Sequence, residues 1–238
     1  MIFSFTDGGA LSPLLYAEAF GTTREEAEDD IAALLAGGAL PLTLTEGGVT
    51  LSQWIALPIF AEGIPLLYLY ALATLPASRG QGCLRTLLEK TAKMARGEGY
   101  HALLLLPATP SLAEAYARMG FTEARPAGGA PVIEKGADLA LLRAKEAPIA
   151  PMSQEEAVRA FAGGLSAPLL DYTLKTLAPA VLPYRAGDAA YLLLADAPRY
   201  ALAARGGDTT RQGEGLTPLL LRPLGGALPR EIPEPLPR

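Results

Sequence analysis

The chain has one cysteine and one histidine in 238 residues. A lone Cys83 excludes an internal disulfide, and with His101 as the sole imidazole there is no Cys/His set to hold a metal. Basic runs are missing as well. The formal net charge is −5, and without clustered Lys and Arg to replace counterions the chain does not offer a general nucleic-acid surface. No uninterrupted apolar stretch approaches the roughly 20 residues of a membrane span, and the opening MIFSFTDGG lacks the basic-then-apolar order of an export signal. These absences give the expectation of a cytoplasmic protein with neither nucleic acid nor membrane as partner. Half of the residues are apolar, enough for a full core in one large domain or two small ones.

The first half alternates elements in the manner of an α/β domain. Residues 12–20 and 23–35 read as helices, the second opening with Thr23 three residues before Glu26, a capping-box spacing, and ending at Gly37 and Gly38. Strands are expected at 41–45 and 49–56, joined by Glu46, Gly47 and Gly48 as a hairpin, with a longer strand at 66–74. Over residues 82–96 the positions Leu84, Leu87, Leu88, Thr91, Ala92 and Ala95 follow helical spacing, so one face packs on a sheet. Residues 102–106 are uniformly apolar, as in a strand buried on both faces, and 111–119 form another helix before Gly120 and Phe121. Strand, helix, strand implies that 66–74 and 102–106 run parallel.

Fourteen of the 21 prolines lie from Pro126 onward, which breaks the second half into short pieces and favours a separate, smaller α+β domain. The expected division is 1–125 and 126–238. Ser153 and Glu156 cap a helix to residue 161, and 168–177 form a second helix. Residues 190–194 and 200–204 make a hairpin across Asp196, Ala197 and Pro198, 216–221 make an edge strand interrupted by Pro218, and the residues from Pro229 make an extended tail. This half is expected to dock on the first, so that truncation after residue 128 exposes apolar surface.

Between the strand at 66–74 and the helix at 82–96 stands Arg79-Gly80-Gln81-Gly82-Cys83-Leu84, bare backbone beside a positive charge. A P-loop needs Lys then Ser or Thr after its second glycine, where this loop has Cys83 and Leu84. A dinucleotide fingerprint from Gly80 puts Arg85 where the third glycine belongs. Unpaired N–H groups at a helix start suit an anion such as a pyrophosphate, and Gly82 lets the backbone come close. From Ser78 to Glu98, five basic residues (Arg79, Arg85, Lys90, Lys93, Arg96) face two acidic ones, a reversal of the chain's overall sign. On the loop alone, a glycine-containing helix start with solvated lysines is an equal reading.

The loop resembles the acetyl-CoA signature of the GCN5-related N-acetyltransferase (GNAT) superfamily: Arg or Gln, two residues, Gly, one residue, Gly or Ala, with Leu84 at the last position here. LYLYALATLPASRGQG resembles the superfamily's fourth strand entering its pyrophosphate loop. AEAYARMGF, with Tyr116 four residues before Gly120-Phe121, resembles its following helix, although Thr109 stands where many members carry Asn. The resemblance covers about residues 9–122 and implies a GNAT-like mixed sheet flanked by helices. More weakly, the second half resembles the partial second acetyltransferase-like domain of bacterial tandem proteins; Arg211 to Gly215 is out of register with the signature and reads as a turn.

The resemblance further implies transfer of an acetyl group from acetyl-CoA to an amine by direct attack. Arg79, Gly80, Gln81, Gly82, Cys83, Leu84 and Arg85 would form the pyrophosphate site. Backbone groups of Ala73 and Thr74 would pair with the pantetheine arm, and Tyr116 would be the general acid to the departing sulfur. No general base stands out: residues 66–74 hold no carboxylate, Tyr68, Tyr70 and Thr74 share one face by the two-residue period, and Glu62 and Glu123 flank the region. His101 at a strand entrance reads as structural, Cys83 as remote from the thioester, and Trp54 as core or pocket wall. A small amine, an aminoglycoside-like compound or a peptide amine all remain open as acceptor, as does the oligomeric state, a homodimer included. The rival function is a catalytically silent acyl-CoA-binding or interaction module.

Overall fold

A computed structural model describes residues 4–61, 63–124, 132–134, 149–153, 156, 181–186, 189–194, 199–201, 219–230 and 232. The first two helices form where capping residues place them. In α1 (Pro13–Phe20), Ser12 Oγ accepts from Leu15 N–H and Gly21, at φ 69°, ends the helix. In α2 (Arg24–Ala36), Glu26 N–H donates to Thr23 Oγ1 at 3.2 Å while Thr23 N–H donates to Glu26 Oε2 at 2.7 Å, the reciprocal box its spacing implied. Those bonds hold the Glu26 carboxyl below the usual carboxylate range. What they contribute is present above that range and is lost as pH falls through it.

The main sheet of the described residues has seven strands. They are β1 (Ser4–Asp7), β2 (Leu40–Glu46), β3 (Val49–Ala61), β4 (Ile64–Thr74), β5 (Ala102–Leu105), β6 (Thr122–Glu123) and β12 (Leu220–Pro223), in the order β1-β2-β3-β4-β5-β12-β6. Gly47 and Gly48 both have positive φ, 57° and 81°, and close β2 onto β3 as a two-residue turn with Glu46 opposite Val49. β3 runs five residues beyond the expected end at Ala56, past Pro58. β4 and β5 are parallel, Leu66–Leu69 alongside Ala102–Leu105, as the strand–helix–strand order requires.

Between them runs α3 (Cys83–Gly97). Its face of Cys83, Leu87, Leu88, Ala92 and Ala95 packs with Leu42, Leu44, Trp54, Ala56, Leu67, Leu69, Leu103 and Leu105 in one core. Trp54 is wholly buried there, and its Nε1–H donates to Thr91 Oγ1 at 3.1 Å, so the indole keeps its hydrogen bond inside the core. Ile55, Leu57, Leu66 and Tyr68 are buried outside that core, and α1 packs on β4. Gln53 ties β3 to the start of α1: its Nε2 donates to Ser12 O at 3.0 Å and its Oε1 accepts from Ser12 N–H at 2.7 Å.

Two expectations for the second half are corrected. Residues 216–221 are not an edge strand: β12 lies inside the main sheet, antiparallel to β5 on one side and to β6 on the other. Leu219, Leu220 and Leu221 are all buried, which an interior strand requires. Arg96 Nε donates to Leu224 O at 2.8 Å, Arg222 Nη2 donates to both Glu89 oxygens at 3.0 and 3.2 Å, and His101 Nδ1 donates to Ala227 O at 2.7 Å. His101 is thus structural. Nor does the strand at 190–194 pair with residues 200 and 201; the rest of the expected partner, 202–204, lies outside the described residues. β10 (Ala189–Leu194) pairs with β9 (Val181–Ala186), and β11 (Arg199–Ala201) pairs with β7 (Val132–Glu134). Pro183 inside β9 masks that strand in the sequence.

The chain divides into two compact units: Met1–Ile59, Gly63–Glu123 and Thr217–Leu228 in one, Phe60–Glu62, Ala124–Leu216 and Pro229–Arg238 in the other. In the second, β8 (Ile149–Pro151) joins β9 and β10 in a three-stranded antiparallel sheet. Ser153 and Glu156 make the expected reciprocal bonds, Glu156 Oε2 accepting from Ser153 N–H at 2.8 Å and Ser153 Oγ from Glu156 N–H at 3.2 Å. The body of that helix, the helix expected at 168–177, and Arg211 to Gly215 lie outside the described residues. Ile232, in the expected tail, is buried.

Candidate functional site

Three of the four α-helices described carry a side-chain cap: Ser12 on α1, Thr23 on α2, and Thr109 on α4 (Pro110–Ala117). α3 has none. It begins at Gly82 with φ 82°, and Gly80 stands at φ 76°. A Cβ on either glycine would meet nothing within 4 Å, so the glycines serve the left-handed backbone and keep the space in front of it open. Thr86 N–H is the first to bond back, to Gly82 O at 2.9 Å. The N–H groups of Cys83, Leu84 and Arg85 precede the helical ladder and stand at its positive end.

Side chains around the loop divide cleanly. Arg79, Gly80, Gln81, Gly82 and Arg85 are exposed, whereas Cys83 is 1% exposed and belongs to the core, and Leu84 is half-buried against it. Leu84 therefore turns inward, and its bulk does not crowd the row of amides. Burial raises the Cys83 thiol above its usual range, with the Glu46 carboxylate adding to the effect. It offers this site an N–H and no thiolate. Lys90, Lys93 and Arg96 are exposed farther along α3.

Just before the loop, β4 outruns its parallel neighbour. Pairing with β5 stops at Leu69 and Leu105, and β4 continues from Tyr70 to Thr74 with no described strand on that side. At the parting stands Ala71, whose φ of 52° is the one positive value at a non-glycine among the described residues. The bend shifts the side-chain alternation by one: Leu67 and Leu69 face the α3 core, and so does Leu72. Tyr68 and Tyr70 remain neighbours, ring centroids 6.3 Å apart. Thr74 passes to the α3 side, its Oγ1 2.9 Å from Ser52 Oγ. The expectation of one face for Tyr68, Tyr70 and Thr74 fails at this bend. A left-handed alanine costs roughly 1–2 kcal/mol, and a β-branched residue there costs more. Ala71→Val should lose more than about 1 kcal/mol in urea unfolding, and Ala71→Gly should stay within about 1 kcal/mol, relief of strain offsetting the entropy of glycine. Equal stability of the valine protein would contradict the bend.

The carbonyls of Ala73 and Thr74 are engaged by side chains: Ser52 Oγ donates to Ala73 O at 3.2 Å, and Arg79 Nε donates to Thr74 O at 3.2 Å. Tyr116, on α4, is 5% exposed and packs edge-to-face on Phe121 with centroids 5.7 Å apart. Burial pushes its hydroxyl well above the usual tyrosine range.

A parallel strand pair that opens past a bend, followed at once by a glycine loop and an uncapped helix, is a local geometry that families share, and comparison identifies which. Residues 26–121 match the model of the acetyltransferase (GNAT) family. This segment is a GNAT acetyltransferase domain. Solved structures share the fold: a GCN5-related N-acetyltransferase from Kribbella flavida has a TM-score of 0.62 at 16% identity, covering 94% of this chain and 72% of that one. Another from Anabaena variabilis has a TM-score of 0.55 at 15% identity, covering 93% of this chain and 59% of that one. A GNAT family acetyltransferase from Brucella melitensis, solved in complex with acetyl-CoA, has a TM-score of 0.41 at 22% identity, covering 51% of this chain and 83% of that one. No curated protein sequence matches.

Within the GNAT domain, the loop and the end of β4 come together because they are contiguous. Trp54 is core and no pocket wall. Glu123 is exposed on β6, and Glu62 lies outside the described residues. Two participants escaped the sequence reading. Ala71 carries no signal, since alanine marks no left-handed bend. Ser52 reads as one polar residue in an apolar strand, and only the fold sets it beside Ala73 and Thr74. Among the described residues there is no His/Cys/Asp/Glu group able to hold a metal, and no helix is long and apolar enough to cross a membrane.

Proposed function

We propose that this chain transfers an acetyl group from acetyl-CoA to an amine by direct attack. The observation that carries the reading is the opening of β4 from β5 directly ahead of the uncapped start of α3. The loop amides from Gly82 to Arg85, with Arg79 and Arg85 beside them, are suited to the pyrophosphate. Past Leu69 no described strand lies on the β5 side of β4, and backbone groups of the Ala71–Thr74 stretch are suited to pair with an extended pantetheine arm, as a further strand would. At Ala71 the bend re-aims the backbone where a thioester carbonyl would lie, and an N–H pointed at the developing oxyanion lowers the barrier. The buried, proton-bearing Tyr116 hydroxyl is the candidate donor to the leaving sulfur.

A second reading, a silent acyl-CoA binder, is favoured by one feature: β4 carries no carboxylate over its whole length to take the proton from the amine. One experiment separates the two. CoA and acetyl-CoA should both stabilise the protein, by about 2.7 kcal/mol at a hundredfold excess over the dissociation constant, and an amine panel read out as free thiol should then find a substrate. Gly82→Val should abolish the shift, since a β-branched residue cannot take the left-handed backbone. Absence of any shift in the unmutated protein removes both readings, and binding without thiol release on any amine leaves the silent binder.

A further inference from the structure

Resting on the transfer reading, a residue outside the loop and outside the family signature acquires a role. Past Leu69, β4 has lost β5 on one side, and Ala71 has broken its alternation. β3 still flanks β4 on the other side, and Leu75 N–H donates to Leu51 O at 2.8 Å; to this a short chain of side-chain hydrogen bonds adds a further hold on the last two residues. Ser52 is 0% exposed on β3. Its Oγ lies 3.2 Å from Ala73 O and 2.9 Å from Thr74 Oγ1. A hydroxyl has one proton to give. With Ser52 donating to the Ala73 carbonyl, Thr74 O–H donates to Ser52 Oγ, and the order Thr74, Ser52, Ala73 is set. Arg79 Nε–H closes the other end on Thr74 O, so the strand end is joined to the first residue of the glycine loop.

We propose that Ser52 is a positioning residue for acyl transfer: its buried hydroxyl holds the end of β4 where acetyl-CoA must pair, and aligns the thioester with the loop that holds the pyrophosphate. Serine on an interior strand has poor β propensity, and its hydroxyl, buried without partners, would be costly. Both are offset only if the hydroxyl is used. Here it serves two partners, both in the segment that the reaction needs to be rigid. Small misplacements of a reacting group cost large factors in rate, about 10²-fold for 1 Å.

Ser52→Ala, Thr74→Val and Thr74→Ser test this, each assayed for acetyl transfer and for binding of free CoA, with hydrogen exchange of amides 71–75 followed in the presence of acetyl-CoA. Ser52→Ala and Thr74→Val should each lower kcat by about tenfold or more, with the Kd for CoA changed by a clearly smaller factor, because the loop amides are untouched and only the pantetheine contact loosens. Thr74→Ser, which keeps the hydroxyl, should retain the rate. The double variant Ser52→Ala/Thr74→Val should be no slower than Ser52→Ala alone, the signature of one shared interaction. Amides 71–75 should exchange faster in Ser52→Ala. Turnover and exchange matching the unmutated protein would overturn the proposal. So would a loss of kcat and CoA affinity in step, with Thr74→Ser no better than Thr74→Val, since that marks a merely structural residue. An unmutated protein that binds no acetyl-CoA would sink the transfer reading itself, a result distinct from both.

Discussion

Tyr116→Phe is expected to bind CoA as the unmutated protein does and to turn over about 10²- to 10⁴-fold more slowly. The ring is retained, and with it the edge-to-face contact with Phe121 and the packing of α4 on the core, so the folded state should survive. Only the hydroxyl is lost. Because burial favours its neutral form, the proton is held through the whole neutral range, as an acid that must protonate a departing thiolate requires. The same burial predicts an alkaline effect. In the unfolded chain the phenol ionises near pH 10, whereas in the folded protein it does not, so above that pH unfolding releases a proton and becomes easier. The stability tied to the neutral ring is therefore intact below about pH 10 and is lost above it. Phenylalanine has no proton to release, and the variant should resist alkaline unfolding to a higher pH. Turnover equal to that of the unmutated protein, on any accepted amine, would make Tyr116 a packing residue only.

Much of the first unit was legible because local chemistry dictates it. The Thr23–Glu26 box, the Gly47-Gly48 turn and the apolar face of α3 depend on residues within a few positions of each other, and each formed as its spacing requires. The glycine loop is contiguous with its helix, so the sequence also contains its geometry. What escaped depends on distance along the chain. β12 is a short apolar run with a proline beside it, and nothing within it states that its partners are Ala102–Leu105 and Thr122–Glu123. The bend at Ala71 has no residue signature at all, and it undid the period-two argument that put Thr74 beside Tyr68 and Tyr70. In the second unit, Pro183 hid β9, the strand that pairs with β10. If the proposed transfer holds, the acceptor side shares this non-local character: a general base would have to be brought to β4 from another element, and spacing along β4 cannot reveal it.

Truncation after Gly128 should leave a protein that does not fold, for a reason specific to β12. Leu219, Leu220, Leu221 and Leu224 are each at most 6% exposed, and burying a leucine stabilises by about 1.5–3 kcal/mol, so the four together rival the roughly 5–15 kcal/mol net stability of a domain. Their removal also strips β5 of its partner along Ala102–Leu105 and leaves β6 unpaired, opening an apolar edge inside what was a continuous sheet. The anchors of Arg96 on Leu224 O and His101 on Ala227 O go with it. Excision should behave differently from truncation. Glu123 lies opposite Leu220 in the antiparallel pair of β6 and β12, so the chain leaves the sheet and returns to it at adjacent points, and residues 124–218 enter as an insertion between neighbouring strands. We predict that joining Glu123 to Leu219 through a short turn, as in a hairpin, restores a cooperative melting transition and the CoA-induced shift that the truncated chain lacks, measured by circular dichroism and thermal unfolding. A truncated protein that melts cooperatively and binds CoA would show that β12 is dispensable. An excised protein that aggregates like the truncated one would show that residues 124–218 belong to the same folding unit as the sheet, the docked arrangement in which the second half is indispensable to the first.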